Sequence, residues 1–69
     1  MVTYKKLGDK IRRLRKEKGF TQEKLAELAK IDPKSIIDIE SGKRNPTLKT
    51  ITKLARSLNI SLNKLLSIE

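Results

Sequence analysis

Residues that stop or start helices divide this chain into short intervals. Gly19 is followed by the pair Asp32-Pro33, then by "GKRNP" from Gly42 to Pro46, then by Asn59. Glycine favours the left-handed turn that closes a helix, and proline cannot continue one. No interval between these signals holds the roughly 18 apolar residues of a membrane span. Short helices of this kind are stable only if each buries an apolar face against the others.

The apolar residues between the breaks fall at helical spacing. Leu7, Ile11, Leu14 and Lys18 run along one side of a first helix, which Gly19 ends after Lys16 and Lys18. Thr21 is a cap for a second helix, with Glu23 in its first turn and Leu25, Ala26, Leu28 and Ala29 turned inward. Asp32 followed by Pro33 predicts a third helix, with a capping carboxylate and proline in the first helical position. It runs to about Ser41. Thr47 opens a fourth carrying Leu48, Ile51, Leu54, Ala55 and Leu58. Ser61 caps a short fifth with Leu62, Leu65 and Leu66. The expected fold is all-α: five short helices in one compact domain over residues 1–69. The second and third are joined only by "KID", a connection short enough for a helix-turn-helix.

Charge narrows the partners. Residues 1–19 hold eight Lys/Arg and two acids, residues 20–42 hold three and five, and residues 43–69 hold six and one, for a net +9. Such a surface suits a polyanion or an acidic membrane, or it serves only to solvate helix faces. The chain has no Cys and no His, which removes disulfides, thiolate metal sites and the commonest general base. No catalytic constellation, metal site, cofactor or small-molecule ligand is expected. The start, "MVTYKKLGDK", lacks an apolar signal core, and a cytoplasmic protein is the expectation.

Four pieces, in order, resemble the Cro/repressor-type helix-turn-helix family, which includes phage repressors and restriction–modification controller proteins. They are "KIRRLR" at Lys10–Arg15, "TQEKLA" at Thr21–Ala26, "IIDIESGKRNP" at Ile36–Pro46 and "LNISLNKLL" at Leu58–Leu66. The resemblance spans Leu7 to Leu66. It implies a homodimer on a near-palindromic operator in double-stranded DNA. The recognition helix is placed at about residues 33–41.

A wheel at about 100° per residue puts Ile36, Ile39 and Glu40 on the core side of that helix. Lys34, Asp38 and Ser41 point out, and Ser35 and Ile37 lie on opposite flanks. The residues expected to face bases are therefore Pro33, Lys34, Ser35, Ile37 and Asp38. By resemblance, Gln22 touches the DNA backbone at the start of the second helix, with Thr21 beside it. Ser41, Lys43, Arg44 and Asn45, joined by Lys49, would straddle the other strand. Asp38 either accepts from a cytosine amino group or pairs with Lys34. Ile37 stands where the family often has a small polar residue, and either meets a thymine methyl or fills a gap. Lys30 replaces an expected turn glycine.

The family pattern also implies a shielded ion pair between Arg15 and Glu40, tying the first helix to the third. Ile60, Leu62, Leu65, Leu66 and Ile68 exceed what one terminal helix needs, so part of this surface is expected at a dimer seam. Rival readings are an antitoxin-type module binding protein and DNA, and a small basic RNA-binding protein. The latter has only Tyr4 and Phe20 for stacking.

Overall fold

Four capping side chains start four of the five helices. Thr21 Oγ1 accepts from the Lys24 amide, Asp32 Oδ1 from Lys34, Thr47 Oγ1 from Thr50 and Ser61 Oγ from Lys64, all at 2.9–3.1 Å. The helices they precede are α2 (Gln22–Ala29), α3 (Pro33–Glu40), α4 (Leu48–Ser57) and α5 (Leu62–Leu66), with α1 (Tyr4–Glu17) before them. These come from a computed structural model that describes residues 4–67. No strand occurs among the described residues.

One device ends the first four helices. Gly19, Lys30, Gly42 and Asn59 each adopt a left-handed conformation, with φ of 75°, 57°, 79° and 57°. The amide of the next residue then donates five residues back. Phe20 reaches the Arg15 carbonyl, Ile31 that of Ala26, Lys43 that of Asp38 and Ile60 that of Ala55, at 2.9–3.1 Å. This closes the open carbonyls of each helix end and turns the chain sharply.

The core is continuous across all five helices. Leu7 and Ile11 of α1 meet Leu25, Ala26 and Ala29 of α2, Ile36 and Ile39 of α3, Ile51, Leu54 and Ala55 of α4, then Leu58 and Leu65. α3 packs against both α1 and α2, and α5 closes against α1 and α4. The α1–α3 approach is close at Gly8. A Cβ there would collide with the Ile39 carbonyl oxygen and lie 2.9 Å from that of Glu40. Lys10 Nζ donates to the carbonyls of Lys64 and Ser67, both at 2.6 Å, and so fastens α1 to the end of α5.

Several expectations change. Leu28 is 42% exposed, because the buried stripe of α2 is centred on Leu25, Ala26 and Ala29 and Leu28 lies to its side. Leu48 has the right phase on α4 but is 62% exposed, as the first residue of the helix. Lys18 lies beyond the end of α1 and is exposed. α3 ends at Glu40, with Ser41 as its C-cap. Leu65 is fully buried in the core of the single chain, so it is not free for a dimer seam. Ile68 lies outside the described residues.

Candidate nucleic-acid interface

The outward face of α3 carries Pro33, Lys34 and Ile37, all exposed, with Ser35 and Asp38 half-buried at its sides. Asp32 and Pro33 hold the start of this helix rigid, through the cap and the fixed proline φ. Lys34 and Asp38 form no ion pair. Ile37 is 48% exposed and fills no gap in the protein.

Two clefts flank α3. The first, of about 360 Å³, is lined by Arg12, Arg15, Gln22, Ile37, Glu40 and Ser41. Its floor is a buried polar network. Arg15 Nε donates to Glu40 Oε2 at 2.6 Å and Nη2 to Oε1 at 3.1 Å, a two-point fork between residues only 7% and 6% exposed. Arg15 Nη1 donates to the Phe20 carbonyl at 2.7 Å. Gln22 Nε2 completes the set, donating to Glu40 Oε1 at 3.2 Å. One carboxylate therefore fixes the first helix, the third helix and the side chain that opens the second.

The second cleft, of about 230 Å³, lies between α3 and the start of α4. Ser35, Arg44, Asn45, Thr47 and Thr50 supply its polar wall. Arg44 and Asn45 are exposed, as are Lys43 and Lys49, which do not line it. Arg44 Nη1 donates to Ser35 Oγ at 2.5 Å.

The structure brings the expected residues together with one change of side. The sequence expectation puts Ser41 with the loop, across α3 from Gln22. It lies instead in the first cleft with Gln22 and Arg12, because α1 packs over the end of α3. Its hydroxyl donates to the Asp38 carbonyl at 3.0 Å. Thr21 Oγ1 is engaged as the α2 cap. Arg12 is absent from the residues read off the sequence. It is exposed and forms no ion pair among the described residues, whereas Arg13 pairs with Glu17. Its spacing was the available signal, since Arg12 precedes Arg15 by one helical turn and shares its flank.

A three-residue corner between two eight-residue helices, the second presenting Pro33, Lys34 and Ile37 outward between clefts that hold Arg12 and Arg44, defines the class of helix-turn-helix domains. The chain belongs to the helix-turn-helix family, whose model matches residues 11–65. It is 39% identical over 57 residues to an uncharacterized HTH-type transcriptional regulator of Sinorhizobium fredii, covering 83% of this chain and 74% of that one. The restriction–modification controller protein C.AhdI from Aeromonas hydrophila superposes with a TM-score of 0.88 at 40% identity, over 90% of this chain and 94% of the other. The biofilm regulator SinR, in a crystal structure with DNA, superposes with a TM-score of 0.84 at 32% identity, over 88% and 98%. The chain spans 47%, 55% and 44% of the length of three further curated relatives. No helix among the described residues is long and apolar enough to cross a membrane.

Proposed function

We propose that the chain is a transcriptional regulator that binds duplex DNA sequence-specifically, with α3 in the major groove. The observation that carries this is the flanking of α3: an exposed face of Pro33, Lys34 and Ile37 stands between two clefts, one lined by the exposed Arg12 and the other by the exposed Arg44. The DNA-bound relative of the same fold supports it. In this reading Pro33, Lys34, Ile37 and Asp38 face base edges, with Ile37 suited to a thymine methyl. Thr21, Gln22, Ser41 and Arg12 face one phosphate backbone, and Lys43, Arg44 and Asn45 the other. Phosphate contacts supply most of the affinity and set the register; base contacts choose the site.

The working unit in this reading is a homodimer on a near-palindromic operator. Ile60, Leu62 and Leu66 are half-buried on the single chain and are the residues left for its seam. In this reading the protein has no catalytic role and acts in the cytoplasm.

Mobility shifts with random duplex, single-stranded DNA and RNA test the class of partner. Duplex binding should dominate. If about 6 phosphates are neutralised per dimer, the slope of log affinity against log salt is near −5. Replacing Lys43 and Arg44 together by Ala should flatten that slope. An unchanged slope would remove the loop from the interface, and stronger binding to single strands or RNA would remove the duplex.

A further inference from the structure

Ser35 sits on the flank of α3, beside Lys34, and its hydroxyl oxygen accepts the Arg44 Nη1 bond. A guanidinium has five N–H donors, and this bond occupies one of them. Arg44 makes no other hydrogen bond or ion pair among the described residues. Four donors are therefore held beside the outward face of α3 with no partner among the described residues. The backbone around Arg44 is already anchored, by the Lys43 amide on the Asp38 carbonyl at 2.9 Å and by half-buried Pro46. The Ser35 bond extends that order from the loop backbone to the tip of its longest side chain.

We infer that Ser35 is a positioning residue for DNA binding: it acts by orienting the Arg44 guanidinium toward the phosphate backbone and does not read a base itself. An exposed arginine samples many rotamers, and a free one loses that freedom on binding. An arginine already hydrogen-bonded to the recognition helix loses less, so each bond to phosphate contributes more to affinity. The same link ties the loop to the helix, so that both engage the DNA in one register. The inference rests on the duplex-DNA reading above, and its test separates the two.

The first measurement needs no DNA. In the NMR spectrum of the free protein the Arg44 Nε–H group should move more slowly than that of Arg12, which has no partner among the described residues. Ser35→Ala should remove the difference. Equal mobility of Arg44 in the parent and in Ser35→Ala would show that the bond is not formed in solution and overturn the inference.

The second is a double-mutant cycle on a duplex selected by the parent, read by fluorescence anisotropy across a salt series. Ser35→Ala should weaken binding about fivefold, the cost of immobilising one rotamer-rich side chain on binding. Ser35→Thr keeps a hydroxyl and should bind within about twofold of the parent. Arg44→Ala should weaken binding and make the salt slope shallower by about 0.9, one phosphate contact. In the Arg44→Ala background, Ser35→Ala should have no further effect. Full additivity of the two changes would mean that Ser35 touches DNA on its own. Tighter binding by Ser35→Ala would mean that the bond withholds Arg44. Either result overturns the inference while leaving duplex binding intact. A parent protein that binds no duplex overturns both.

Discussion

Glu40 and Asp38 lie two residues apart on one helix and do opposite things. The Glu40 carboxylate is buried and accepts three side-chain hydrogen bonds, two from Arg15 and one from Gln22. The Asp38 carboxylate makes none among the described residues. The difference follows from helical phase: Glu40 shares the face of Ile36 and Ile39, and Asp38 does not. Removing one partner of a buried pair leaves a charge without compensation and costs about 3–5 kcal/mol. A domain of this size has a total stability of about 3–5 kcal/mol. Glu40→Ala and Arg15→Ala should therefore unfold much of the population at room temperature, while Asp38→Ala should melt like the parent. Circular dichroism during a thermal scan reads both, and a parent-like melt of Glu40→Ala would contradict the network. The five acids of residues 20–42 thus divide into Glu23 in the first turn of α2, Glu27, which pairs with Lys24, Asp32, which caps α3, Glu40, which locks it to α1, and Asp38, which is left at the side of its outward face.

Element boundaries were legible because local chemistry decides them. Caps at Thr21, Asp32, Thr47 and Ser61 and left-handed ends at Gly19, Gly42 and Asn59 act within a few residues of where they are written. What was less legible depends on neighbours far along the chain. The periodicity of α2 admits Leu28, but only the placement of α3 and α4 decides that Leu25, Ala26 and Ala29 are the covered side. Leu65 belongs to the core because α5 docks between α1 and α4, which no spacing within α5 records. Ser41 changed cleft, and Arg12 joined one, for the same reason: the lie of α1 across α3 is a tertiary fact. The α2–α3 corner carries its own test. Lys30 at φ 57° bears a left-handed cost of about 1 kcal/mol that glycine avoids. Lys30→Gly also frees the unfolded chain, offsetting about 0.5 kcal/mol. The urea midpoint should rise by the equivalent of about 0.5 kcal/mol, with the m-value unchanged. A lower midpoint would show that the corner relies on the lysine side chain.

At the scale of the molecule, charge and shape converge on α3. The segments before and after the helix-turn-helix corner carry the positive excess, and they supply the cations of the two clefts: Arg12 in one and Arg44 in the other. A helix so flanked reads one short site, and a single copy of a domain this small covers too little DNA for high specificity. A two-fold dimer doubles the contacts and imposes symmetry on the site. Sedimentation at micromolar protein should show a dimer, free or on a palindromic duplex, and Leu62→Lys should shift it toward monomer. A strict monomer under both conditions would rule out a seam at α5. The central claim, that α3 reads duplex DNA as part of a symmetric pair, is tested most directly by selecting bound sites from random duplex DNA. The account predicts a near-palindromic consensus with half-sites about 10–11 base pairs apart. Repeated rounds that enrich no sequence, with retention that depends on salt alone, would contradict it.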